Sequence, residues 1–80
     1  MINKKVSEIL GWYGVIAILL AYSLVSFNIL NPNAVAYQIL NLTGGFGIGI
    51  SSLSKKAYPA ATLNLIWAVV ALVALLIILF

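Results

Sequence analysis

The sequence predicts an all-α integral membrane protein of three transmembrane helices with short loops and a cytoplasmic N-terminus, and three observations predict it. Apolar residues make up 65% of the 80-residue chain and charged residues 6%, where a soluble domain carries roughly 25% charged residues. Four lysines and one glutamate cannot build the charged shell that a water-soluble core of this size requires. The chain also divides into three apolar runs, each close to the ~20 residues that cross a hydrocarbon core as a helix.

The first run spans about 9–28, from Ile9 to Asn28. Lys4 and Lys5 precede it, as they would a signal peptide. A signal core is only roughly 7 to 15 residues long and is followed by an A-x-A-like cleavage site; this run is longer and lacks the site, so it reads as a membrane helix. Asn31, Pro32 and Asn33 then break the chain, with Asn31 as N-cap and Pro32 at the first helical position, where its missing N–H costs nothing. The second helix follows over about 34–53. Ser54 to Pro59 form the second break, and Pro59 again suits a helix start before a third helix over about 60–79. Connections this short make consecutive helices antiparallel neighbours within one domain, 1–80.

Orientation follows from the lysines. Lys4 and Lys5 precede the first span while Lys55 and Lys56 follow the second, so both pairs fall on one face, which the positive-inside rule makes cytoplasmic. In a bacterial cell this is a multi-pass protein of the inner membrane. Trp12, Tyr13 and Tyr58 lie beside that boundary, where amphipathic rings anchor. Two lysine pairs beside apolar runs explain the net charge of +3 without any nucleic-acid partner.

The stretch YQILNLTGGFGIGISS, residues 37–52, is unusually polar for a span. Gln38, Asn41, Gly45 and Gly49 recur at spacings of three and four, so they share a helix face. An amide facing lipid would lack a partner, which makes that face internal. By helical rise Tyr22 and Asn41 lie at one depth, roughly 20 Å from the cytoplasmic edge, with Ser26 and Gln38 a turn further out. Tyr22 is thus the expected partner of Asn41. Gly44, Gly45, Gly47 and Gly49 are more glycines than one packing face needs, and each weakens a helix by roughly 1 kcal/mol relative to alanine. They mark either close helix packing, through Gly45-x-x-x-Gly49, or a helix that flexes at mid-membrane. On the third helix Asn64 and Trp67 share a face one turn apart, with Trp67 near the depth of the glycines. Tyr22, Gln38, Asn41, Asn64 and Trp67 form the expected internal polar cluster or solute site.

Catalysis has no residues to work with. Cysteine and histidine are absent, so disulfides and most transition-metal sites are excluded. The only carboxylate, Glu8, lies at the cytoplasmic margin, where it offsets Lys4 or Lys5 or the positive end of the first helix. No enzyme activity, metal or cofactor is expected.

The runs LGWYGVIAILLAYSLVS, YQILNLTGG and LNLIWAVVALVAL resemble a group of small uncharacterised bacterial three-helix inner-membrane proteins. That resemblance covers Leu10 to Leu75 and implies three transmembrane helices with no assigned activity. The size, the three-helix plan and an intramembrane Asn with Trp are also similar to the SemiSWEET half-transporters of the PQ-loop superfamily, which work as parallel dimers moving small solutes. That resemblance implies a cavity role for Asn64 and Trp67. The family's Pro-Gln pair is absent from the first helix, and the nearest analogue is Tyr37-Gln38 in the second. Two functions are therefore expected: an oligomeric half-transporter or channel for a small neutral solute, favouring a homodimer, or a non-catalytic accessory subunit of a larger membrane complex.

Overall fold

A computed structural model describes residues 2–80 as three antiparallel helices in chain order. They are α1 (Lys4–Ser26), α2 (Val35–Ser54) and α3 (Tyr58–Leu79). Hydropathy misplaces the ends because hydrogen-bonded length is not set by apolar length. α1 begins before the apolar run because the Asn3 side chain caps it, its Oδ1 accepting from the Val6 N–H at 2.8 Å. Asn31 does not cap α2 as expected. Its Oδ1 instead accepts from the Asn33 N–H at 2.9 Å, closing a local Asx-turn around Pro32, and α2 starts later behind Ala34 without a side-chain cap. Pro59 does sit in the first turn of α3.

Two helix ends share one device. After α1, Asn28 takes φ 60°, its N–H bonds Val25 O at 3.1 Å, and the Ile29 N–H bonds Leu24 O at 2.9 Å. After α2, Lys56 takes φ 59°, with Lys56 N–H to Leu53 O at 3.0 Å and Ala57 N–H to Ser52 O at 2.8 Å. These are Schellman closures, which turn the chain at once and satisfy the last carbonyls. Asparagine tolerates the left-handed region, whereas lysine sits there at a cost of roughly 1 kcal/mol. Lys56→Gly is expected to stabilise the protein by about that amount, read as a raised thermal midpoint in detergent.

Packing reverses the pattern of a water-soluble domain. The buried apolar side chains are all alanines: Ala17 and Ala21 on α1, and Ala61, Ala68 and Ala71 on α3. Ile9, Ile16, Leu63, Ile66, Val70 and Ile77 point outward and are each more than half exposed. α1 and α3 are the two helices long and apolar enough to cross a membrane. The more polar α2 lies between them, contacting both, whereas α1 and α3 make no close backbone approach to each other among the described residues. The molecule is accordingly a slab of 35 × 25 × 19 Å.

The central position of α2 accounts for its glycines. A Cβ at Gly44 would press on Ala17 and Ile18, and one at Gly47 would lie 2.7 Å from Leu10 O, both on α1. A Cβ at Gly45 would lie 3.0 Å from Asn64 O, and one at Gly49 would overlap Leu65, both on α3. The surplus of glycines over one face therefore reflects two packing faces. α2 runs helically through all four without a break, so here they serve close approach and not a bend.

Candidate functional site

Asn41 sits at the α2–α3 interface, 5% exposed. Its Nδ2 donates to Tyr37 O one turn back at 2.9 Å, and its Oδ1 accepts from Trp67 Nε1 at 3.1 Å. Trp67 on α3 is the partner of Asn41, and the expected pairing with Tyr22 does not form. Tyr22 is 67% exposed. It lies one residue beyond Ala21, the buried position on α1, and successive helical residues point about 100° apart.

The remaining polar residues are also engaged. Gln38 Nε2 donates to Pro32 O at 3.3 Å, tying the first loop to α2, so it does not meet Ser26. Asn64 Nδ2 donates to Ala60 O at 2.9 Å on its own helix. Of the five cluster residues, then, the structure joins Asn41 and Trp67 directly and keeps Gln38 beside them, while Asn64 and Tyr22 stand apart. Among the described residues no buried side-chain polar atom lacks a hydrogen-bond partner.

An open groove of about 330 Å³ runs along the α2–α3 seam at this pair, bordered by Tyr37, Gln38, Asn41, Trp67, Val70 and Ala74. Its floor is apolar apart from the amide and indole, which are spent on each other. A second opening of about 280 Å³ lies at the lysine end between α1 and α2, reached by Glu8, Trp12, Ser51, Ser52 and Lys55.

Contacts across α1 and α2 were the harder ones to foresee. Ser7 Oγ, buried, lies 3.3 Å from Ser51 Oγ. Tyr13, expected only to anchor at the boundary, bonds Thr43 Oγ1 at 2.7 Å. Thr43 already gives its hydroxyl proton to Ile39 O at 2.8 Å, so the Tyr13 hydroxyl is the donor. Glu8 forms its ion pair with Lys55 and not with Lys4 or Lys5. Antiparallel α1 and α2 bring residues 4–8 and 55–56 to one end, a proximity implicit in the three-helix order.

A protein-family model matches residues 7–80, nearly the whole chain. No curated protein and no solved structure matches it, and the similarity to SemiSWEET half-transporters accordingly finds no support. The chain belongs to the matched family, which is uncharacterised.

Proposed function

We propose that the protein is a three-span protein of the bacterial inner membrane that acts without catalysis as an interaction subunit, docking first on a second copy of itself and through it on a larger assembly. The observation that carries this reading is where the polar groups go. Asn41 and Trp67 bond each other, as do Tyr13 and Thr43, and among the described residues no buried side-chain polar atom is left without a protein partner, while the outer faces are bulky and apolar.

Three spans are supported by chain geometry. α2 packs antiparallel to both neighbours, with Gly14 against Gly44 and Gly45 against Asn64 and Ala68. α1 and α3 therefore point the same way, and if both cross a membrane, α2 must carry the chain back. Its amides and serines are tolerable there because seven of its residues are buried, Asn41, Ser51 and Ser52 among them. The 35 Å long axis suits a core of roughly 30 Å. Positive-inside logic assigns the lysine end to the cytoplasm. A cysteine at Asn33 is expected to react with an impermeant thiol reagent on intact cells and one at Ser54 to be protected; the reverse labelling would invert the topology.

Self-association is tested by energy transfer between copies labelled at Val70→Cys, a position 62% exposed beside the groove. Transfer is expected to persist when the proteoliposomes are diluted with lipid, and its loss on dilution to the random-encounter level would remove the dimer. The groove of about 330 Å³ favours a second reading, an oligomeric half-transporter whose solute sits beside Trp67. Solute uptake by proteoliposomes holding only this protein would replace the first reading with that one.

A further inference from the structure

We propose that the opening at the lysine end binds the phosphodiester headgroup of an anionic membrane lipid, with the start of an acyl chain lying between α1 and α2. The inference rests on the membrane reading above and gives that end a ligand.

Charge and shape argue for it separately. All five charged side chains occur at residues 4–8 and 55–56, so the whole formal charge of +3 is gathered at one end of the slab. Lys55 lines the opening and is paired with Glu8 while both remain about half exposed. An ammonium has three donors, so Lys55 can take a phosphate oxygen without leaving the glutamate. Ala57 also borders the opening and begins α3 without a side-chain cap. Pro59 offers no N–H, so the Tyr58 and Ala60 N–H groups are the ones left without a side-chain acceptor at this end, where a helix N-terminus favours negative charge.

The opening is graded along its length in the way a lipid is. Glu8, Lys55 and Ser52 stand at the mouth, whereas Val15 and Ile48 line the inner part. Val15 is seven residues beyond Glu8 and Ile48 seven before Lys55, which places this apolar floor roughly 10 Å inward by helical rise. Trp12, 63% exposed on the wall, presents an amphipathic ring at the level where a headgroup meets its chains. A free phosphate would use the mouth alone, and only a lipid uses both parts.

The test is a titration of the detergent-solubilised full chain with phosphatidylglycerol, phosphatidylcholine or inorganic phosphate, read as the thermal unfolding midpoint. Phosphatidylglycerol is expected to raise the midpoint saturably and the other two to leave it unchanged. Lys55→Gln should weaken the half-saturating concentration about fivefold, the worth of one lysine near an anionic surface. Lys5→Gln, outside the opening, should leave it unchanged, and Glu8→Gln should tighten it by removing a negative charge from the mouth. These variants touch one solvent-accessible ion pair of small energetic weight and one exposed lysine, so folding is kept. An equal shift with phosphatidylcholine would overturn headgroup recognition, and an equal shift with inorganic phosphate would make this a free-anion site. Equal losses in Lys5→Gln and Lys55→Gln would reduce the effect to diffuse surface charge. Flotation with neutral vesicles checks the membrane reading apart from the site: a protein that floats without preferring the anionic lipid loses only the site, and one that does not float loses both.

Discussion

Gly14→Leu is expected to detach α1 from α2 while leaving α3 docked. A Cβ at Gly14 would already meet the Gly44 carbonyl and Ile48, and the former is backbone that cannot rotate aside. Overpacking a side chain against side chains costs typically ~1–3 kcal/mol; here a whole isobutyl group meets a neighbouring main chain, so loss of the interface is the cheaper outcome. The readout is a disulfide between Ser7→Cys and Ser51→Cys, whose hydroxyl oxygens stand 3.3 Å apart in a chain with no cysteine of its own. It should form readily in the parent and fail with Gly14→Leu. Gly45→Leu is the complementary change, directed at Asn64 O and Ala68 on α3. It should leave the Ser7–Ser51 cross-link intact while undoing the Asn41–Trp67 contact. A cross-link that survives Gly14→Leu would mean that this glycine face does not hold α1.

The second large effect concerns Asn41 and Trp67. Asn41→Leu leaves the indole N–H without its acceptor, and Trp67→Phe leaves Oδ1 of a nearly buried amide without its donor. Each single change is expected to cost roughly 1–3 kcal/mol, because a stranded polar group loses its partner and gains no water. The double variant removes both groups and should recover part of the loss, with a coupling of roughly 0.6 kcal/mol and at most about 2, as for hydrogen bonds between membrane helices. Unfolding titrations in mixed micelles across the four proteins of the cycle measure it. Tyr22→Phe, lacking a contact to Asn41, should change nothing on its own and show no coupling. Coupling of Asn41 to Tyr22 and not to Trp67 would overturn the geometry.

The order and number of helices were legible because apolar run length and the two proline-bearing breaks are independent signals that agree, although Pro32 lies in the turn before α2 and not at its first position, and only Pro59 opens a helix. The helix ends were less so. Hydropathy marks where side chains turn apolar, whereas α1 starts where Asn3 can cap it and α2 waits until the Asn31 turn has closed. In the candidate site, Asn41 was readable as internal because no isolated amide tolerates lipid. Its partner was not, because helical rise counted from apolar boundaries fixes neither the register between helices nor the azimuth. Tyr22 is turned aside by one residue's rotation from the buried Ala21, and an indole from the other neighbouring helix bonds the amide instead. The glycine count was a true signal of something beyond one packing face. Deciding that it meant a second neighbour required knowing that α2 is the middle helix, and three-helix order alone permits a closed bundle as readily as a row.

That row also sets a sequence of events in time. The chain is made from its N-terminus, so α1 and α2 are both available while α3 is still unmade. Every contact that α1 needs, from Ser7 to Ala21, is offered by α2. An N-terminal hairpin can therefore reach its final form early and wait, and α3 arrives as a late addition that seats its buried Ala61, Ala68 and Ala71 against α2, beside Gly45, Gly49 and Asn41. Assembly can then proceed as two successive closures on opposite faces of α2.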